Sequence, residues 1–221
     1  MSFKQIIISG ILIVMATVSY SCKDTSKQVE SKQAATVVVN QTVNTSKYEK
    51  IKNGSVLNWK ATHLGGINPR IGKIYVKEAS VLVNDSKVTN ISVTINMDKI
   101  MVDNLPEEDA EELVKHLKSE DFFHIEKYPF SKFDLTDLET IEGEYNSKVT
   151  GNLTILGISK SITFKANLTI SEEGVSVISE NFSINRTDWG LTYNAKGTAG
   201  VPLDYLISDE VGFQIVTTIT K

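Results

Sequence analysis

The stretch KHLKSEDFFHIEKYPFSKF, residues 115–133, decides the fold of this chain. It joins the end of an amphipathic pattern to two adjacent phenylalanines, Phe122 and Phe123, and then to a Tyr-Pro pair. Two adjacent aromatic side chains are costly to expose together, so at least one is expected to be buried. Pro129 permits the extended backbone of a strand entry but donates no ladder hydrogen bond. The stretch therefore predicts a helix followed by a β-strand.

The segment before the phenylalanines has the periodicity of an amphipathic helix. Its apolar residues recur at i, i+3, i+4 and i+7, namely Ala110, Leu113, Val114 and Leu117. Pro106 suits the first turn, acidic residues crowd the N-terminal half, and lysines stand near the C-terminal end. The sequence predicts one helix over residues 106–118. The acidic residues stabilise the positive N-terminal end of the helix dipole, so neither a catalytic role nor a calcium site is needed to explain them.

Most of the remaining chain alternates apolar and polar residues, which is the period of half-buried strands. Glycines 143, 157 and 174 lie between consecutive runs and favour short turns between antiparallel neighbours. One helix and about eight strands, without a phosphate-loop or Rossmann glycine pattern, leave a sandwich or a closed barrel. The expected strands lie near residues 57–61, 74–83, 91–97, 130–138, 149–155, 162–170, 175–184 and 211–219.

Three segments, in their order and spacing, resemble the YceI-like family of lipid-binding barrel proteins. They are residues 115–133, VTGNLTILGISKSITFKANL at 149–168, and NRTDWG at 185–190. The resemblance extends over residues 57–219. It implies an all-β fold, an antiparallel lipocalin-like barrel of about eight strands with one amphipathic α-helix. It also implies that the barrel holds a long isoprenoid chain, such as a quinone tail.

The resemblance further implies a ligand-lining role for four residues around the helix end: Leu113, Leu117, Phe122 and Phe123. Tyr128 offers a hydroxyl group to a polar head group. The alternative for the aromatic pair is a plug of the barrel core. Gly151, inside an alternating run, permits a bulge, a bend or the close approach of a ligand.

The second segment supplies further candidates for the cavity wall. Its period of two places four apolar residues on inward faces of a hairpin: Leu153, Ile155, Ile162 and Phe164. An ordinary hairpin core is the alternative for each of them. In the third segment we expect Arg186 to pair with Asp188 and Trp189 to pack beside them, as a structural corner.

The N-terminus resembles a bacterial lipoprotein signal. Lys4 precedes an apolar run, residues 6–18, that is too short to span a membrane comfortably, and Cys22 is the single cysteine. The sequence predicts a signal peptide over residues 1–21, an acylated Cys22 with a polar tether over 22–50, and a barrel domain over 51–221. Ser19 stands where such signals usually carry an aliphatic residue, so a soluble periplasmic or secreted protein stays an alternative.

Composition and charge argue for binding rather than catalysis. A net charge of −4 gives no reason to bind nucleic acid, and His63, His116 and His124 lack metal-ligand spacing. We therefore expect no metal, no cofactor and no enzymatic activity. The ligand class comes from the family resemblance, which implies binding or sequestration of an apolar, polyisoprenoid, quinone-like lipid; the predicted N-terminal signal adds a location in the bacterial cell envelope. The alternative is an interaction or scaffolding lipoprotein with a filled barrel, and the oligomeric state is left open.

Overall fold

The computed structural model describes residues 26–39 and 45–221, so the predicted signal peptide and Cys22 lie outside the described residues. The helix is α1, Glu107–Lys118. Short 3-10 turns occur at Leu64–Gly66, Met97–Lys99, Arg186–Trp189 and Leu203–Tyr205. The strands are β1 Lys27–Gln28, β2 Lys32–Gln33, β3 Thr45–Tyr48, β4 Lys50–Ile51, β5 Val56–Ala61, β6 Arg70–Asn84, β7 Lys87–Asn96, β8 Met101–Val102, β9 Phe130–Thr140, β10 Ser147–Ile155, β11 Ile158–Ile170, β12 Val175–Ser179, β13 Phe182–Asn185 and β14 Glu210–Thr220.

The sheet closes on itself because β5 pairs with both β6 and β14. From β6 the order runs through β7, β9, β10 and β11 to β12, and then through β14 back to β5. Strands β12 and β13 share one position in the barrel, because both pair with the same strand, β14. Strand β12 pairs with the C-terminal part of β14, and β13 pairs with its N-terminal part. The result is a closed antiparallel barrel with eight strand positions, which confirms the predicted fold class. The strand expected over 175–184 is divided, because pairing stops between Ser179 and Phe182.

Helix α1 confirms the helix predicted from the period of 3.6. It begins directly after Pro106, whose carbonyl accepts from the Ala110 backbone N–H at 2.9 Å. Leu117 is buried, and Lys118 Nζ donates to Asp98 Oδ1 at 2.9 Å, which ties the helix end to the turn after β7. Among the described residues, no helix is long and apolar enough to cross a membrane.

Gly151 makes room for an aromatic side chain. A Cβ atom there would overlap the ring of Phe133 and lie 2.7 Å from the Asp134 carbonyl oxygen. The pairing of β9 with β10 shifts register between Thr150 and Gly151, so a bulge accompanies the missing side chain. A bulge was one of the three roles predicted for Gly151, and the structure shows it. The structure also shows that the Phe133 ring packs against Gly151, which the sequence did not predict.

Residues 26–35, which we call the strap, lie along the outside of the barrel. Strand β1 pairs in parallel with β13, and β2 pairs with β11 at Lys160 and Ser161. Strand β12 pairs only with residues Ala166–Ile170 of β11, so the edge of β11 at Lys160 and Ser161 is left for β2. Val29, between the two short strands, is buried in the core. The strap therefore fills a gap where the barrel wall divides.

Side chains also fasten the strap. The Ala35 N–H donates to Asn152 Oδ1 at 2.9 Å, and Asn152 Nδ2 donates to the Ala35 carbonyl at 2.7 Å. Ser31 Oγ donates to Asp188 Oδ2. The structure differs here from the flexible tether expected from composition, because backbone pairing does not depend on large apolar side chains. The sheet also begins before residue 51, since β3 pairs with β6 and Tyr48 is buried.

The Arg186 corner is structural, but its partners differ from the expected ones. The guanidinium is buried and donates to three backbone carbonyls, those of Leu191, Ile207 and Ser208. The nearest carboxylate is that of Asp209, 3.9 Å from Nη2, whereas Asp188 accepts from the strap. The expected Arg186–Asp188 pair was therefore wrong. Trp189 is fully buried and donates from Nε1 to the Leu153 carbonyl at 2.9 Å.

Candidate functional site

Three adjoining cavities lead from one end of the barrel into its interior. The mouth cavity, about 240 Å³, lies between α1 and the loops that follow β5 and precede β14. The first inner cavity is about 80 Å³ and the second about 90 Å³. Trp59, Leu117 and Phe122 border both the mouth and the first inner cavity. The three cavities therefore lie in series from the mouth into the barrel, and we call this series the path.

The two inner cavities present apolar surface only. Arg186 borders the first, but its polar atoms are committed to backbone carbonyls. Burial lowers the pKa of Arg186, and nearby Asp209 opposes that shift. Ser131 is the polar residue of the second cavity. Such a lining favours hydrocarbon and offers no group for orienting a polar ligand.

The mouth is bordered by three rings in mutual contact. His116 lies 5.0 Å from Phe122 and 4.9 Å from Tyr193, measured between ring centroids, and both contacts are edge-to-face. Phe122 and Tyr193 are 5.2 Å apart. His116 Nε2 also lies 3.0 Å from Asp121 Oδ2, which fixes the imidazole from its outer side. The entrance to the interior is thus bordered by packed aromatic rings.

Phe123 borders both inner cavities. Four side chains border both of them: Ile74, Phe123, Ile155 and Phe213. The other three belong to strands of the wall, whereas Phe123 lies in the segment after α1. Phe123 is therefore the one side chain of these four that is not part of the barrel wall.

Stacked aromatic rings line the second cavity. Phe164 and Phe182 have centroids 4.8 Å apart and planes within 5°. Phe133 lies 5.8 Å from Phe164, and Phe213 lies 6.0 Å from Phe182. The Phe133 ring can lean across the wall because Gly151 has no side chain. This cluster supplies a rigid apolar wall.

The structure brings eight of the nine predicted lining residues to this path. Leu113 borders the mouth, and the others border one or more cavities: Leu117, Phe122, Phe123, Leu153, Ile155, Ile162 and Phe164. It places Tyr128 elsewhere, packed beside Gly157 and 6.1 Å from the His124 ring. Sequence reasoning did not select Trp59 or Phe213, although both lie in alternating runs. It had no signal for Tyr193, which lies outside the regular elements.

His63 and His116 both border the mouth cavity, whereas His124 does not. His63 Nδ1 lies 2.6 Å from the Asp204 carbonyl oxygen, and His124 Nε2 lies 3.5 Å from Glu120 Oε1. Within residues 26–39 and 45–221, no group of three or more His, Cys, Asp or Glu residues is placed to hold a metal ion.

Known proteins share this architecture. The model of the YceI-like domain family matches residues 48–219, most of the chain. The chain belongs to the YceI-like family. A UPF0312 protein of Pseudomonas putida strain W619 is 35% identical over 103 residues, 43% of this chain and 51% of that protein. A UPF0312 protein of Photorhabdus laumondii is 46% identical over 54 residues, 24% of this chain and 27% of that protein. The chain thus spans about half, or less, of the length of these relatives.

Two solved structures of low sequence identity share the fold. BcnA of Burkholderia cenocepacia superposes with a TM-score of 0.58 at 15% identity, over 76% of this chain and 98% of that protein. A polyisoprenoid binding domain from Saccharophagus degradans, implicated in plant cell wall breakdown, gives a TM-score of 0.57 at 12% identity. That match covers 79% of this chain and 99% of the domain. At this low sequence identity, both matches show similarity of the backbone fold alone.

Proposed function

We propose that this YceI-like barrel binds the hydrocarbon tail of a long-chain lipid, of the isoprenoid class, without chemical turnover. The observation that carries the proposal is the apolar path from the aromatic mouth through both inner cavities. A tail inside the barrel would leave a head group among the polar mouth residues, which include His63, Arg70 and Asn194. The description of the Saccharophagus domain as polyisoprenoid-binding supports the choice of ligand class.

The tail requires a side-chain movement to enter fully. Each inner cavity, at about 80 and 90 Å³, is smaller than the roughly 150 Å³ that holds a benzene in an engineered protein core. Because Phe123 borders both cavities, rotation of its side chain would join them. Each methylene group then removed from water contributes about 0.8 kcal/mol, so a few isoprene units suffice for stable binding.

We place the protein in the bacterial cell envelope, anchored through an acyl chain on Cys22. Support comes from the apolar run before Cys22 and from the family membership of the domain that follows. Cys22→Ser should move the protein from the membrane fraction to the soluble fraction of its host. If the substituted protein still sediments with membranes after a salt wash, the anchor is elsewhere.

A filled barrel that serves interactions with other envelope components is the second candidate. The small volume of the two inner cavities favours it, because a packed interior needs no guest. The two functions differ in one measurable property, the presence of a retained lipid in protein isolated from its own host.

The deciding experiment is organic extraction of protein purified from its own host, followed by mass spectrometry of the extract. A stoichiometric apolar lipid supports the binding function, and its absence supports the filled barrel. Leu153→Phe adds bulk to the second inner cavity, so it should lower the amount of retained lipid. Leu168→Phe is the matched control, because Leu168 packs on the core without bordering the cavities.

A further inference from the structure

Large apolar side chains are exposed around the mouth of the barrel. Leu203 is 73% exposed, Tyr205 65% and Ile67 49%. They belong to two loops, residues 63–67 and 203–206, that we call the rim. Single exposed apolar residues are ordinary on protein surfaces, but exposed groups gathered at one place mark an interaction site.

The two loops of the rim hold each other in place. The Leu64 N–H donates to the Leu206 carbonyl at 2.8 Å, and His63 Nδ1 lies 2.6 Å from the Asp204 carbonyl oxygen. The first loop is closed by the His63 N–H, which donates to the Ile67 carbonyl at 2.9 Å. The exposed side chains therefore stand on a bonded frame, and their exposure is a property of a fixed surface.

The rim is continuous with the lipid path. His63 and Tyr205 border the mouth cavity, together with Leu113 and Phe122 from the helix side. A hydrocarbon tail that leaves a bilayer beside Leu203 would meet apolar surface from the rim to the inner cavities. Tyrosine has an apolar ring and a polar hydroxyl, which suits the boundary between acyl chains and water.

The N-terminal strap reaches the same end of the barrel. Ser26 Oγ lies 3.7 Å from the position of a Cβ atom at Gly212, and Gly212 pairs with Lys60, three residues before His63. Ser26 and Gly66 also border one surface groove. Cys22 is four positions before Ser26, and four extended residues span at most roughly 14 Å. An acyl chain on Cys22 would therefore attach to the molecule on the side of the rim.

From these observations we propose that the rim docks on a lipid bilayer and opens the mouth cavity directly to the membrane interior, an inference that rests on the proposed lipid-binding function. Ile67, Leu203 and Tyr205 enter the interfacial layer. The lipid then moves between bilayer and barrel without crossing water.

Insertion is tested with a tryptophan reporter. Trp189 is fully buried, whereas Trp59 borders the mouth cavity, so the quenching of the protein that carries Cys22→Ser alone is subtracted from that of each reporter. Leu203→Trp, in a full chain that carries Cys22→Ser, should lose fluorescence on vesicles of phosphatidylethanolamine and phosphatidylglycerol with brominated acyl chains. Val38→Trp is the control, because Val38 is 62% exposed on the segment that follows the strap. Equal quenching of both reporters, or of neither, overturns the proposal.

Uptake is tested with radiolabelled geranylgeraniol, a four-isoprene alcohol, presented in the same vesicles. The double change Ile67→Ser and Leu203→Ser, at rim residues that do not border the mouth or inner cavities, should slow uptake at least about tenfold, because two apolar groups no longer enter the bilayer. Val38→Ser should leave the rate unchanged. The affinity for geranylgeraniol presented in detergent micelles should be the same in all variants, since the inner cavities are intact.

The outcomes separate the two proposals. If geranylgeraniol binds from micelles but the rim variants take it up from vesicles at the normal rate, the rim proposal is wrong and the lipid-binding function stands. If no variant binds geranylgeraniol from micelles, the reporter still decides whether the rim meets a bilayer. If the rim changes abolish self-association in sedimentation experiments and the reporter is not quenched, the rim is an interface between protein copies and the proposal fails.

Discussion

Replacing Phe123 by alanine should lower the stability of the barrel and raise its affinity for a prenyl chain. Buried Phe→Ala changes cost about 3–5 kcal/mol, and Phe123 is only partly buried, so a loss near 3 kcal/mol is expected. In a domain of this size each kcal/mol lowers Tm by about 2–4 °C, which gives a decrease of about 6–12 °C. The affinity should rise because truncation of a side chain that borders both inner cavities should join them.

The gain in affinity follows from the added room for hydrocarbon. Two further methylenes buried in the joined cavity would contribute about 1.6 kcal/mol, or roughly a 15-fold tighter Kd. The assay is thermal unfolding by circular dichroism together with titration of geranylgeraniol from micelles, at a temperature where each variant is folded. Phe122→Ala is the control, because Phe122 borders the mouth and first cavity but not the second.

The test is whether Phe123→Ala lowers the Tm and at the same time tightens the Kd for geranylgeraniol. Phe122→Ala should lose stability without the gain in affinity. If Phe123→Ala binds geranylgeraniol more weakly while folded, the ring acts as a wall of the binding path and the reasoning about a partition is refuted.

Three further changes test the described packing. Gly151→Ala should lower the free energy of unfolding by about 1–3 kcal/mol, because its Cβ would overlap the Phe133 ring; an unchanged urea midpoint would contradict this. Arg186→Met should lower it by at least about 3 kcal/mol, since three buried carbonyls lose a charged donor, again measured in urea. Lys118→Gln should raise the pKa of Asp98 in an NMR titration, because the hydrogen bond and charge of Lys118 hold that pKa below its ordinary value. The stabilisation from this pair is present at neutral pH and is lost as the pH falls through the folded pKa of Asp98.

The regular parts of the fold could be predicted because each carries its own local period. Helix α1 has apolar spacing, a proline before its first turn and charges that match its dipole, so even its ends were close. The long strands alternate over enough residues to show which face is inward, and this is why Leu153, Ile162 and Phe164 were placed on the path.

The missed features depend on partners far away in sequence. Two-residue strands such as β1 have no period, and their pairing with β13 is made by backbone groups that every residue carries. Arg186 has an aspartate two residues away, yet the fold brings Asp209 to it, because the chain turns between the 3-10 turn and β14. Tyr193 reaches the mouth from an irregular segment, where no pattern indicates the direction of a side chain.

The strap has a consequence for the order in which the molecule is built. It is made by the ribosome before any barrel strand, yet its partners Ser161 and Phe182 lie more than a hundred residues downstream. Its pairing must therefore wait until most of the chain is available, and contacts of such large sequence separation form slowly. During that interval the uncovered edge of β11 can pair with another chain. Docking of the strap covers that edge, so a segment synthesised before every barrel strand is placed only after them.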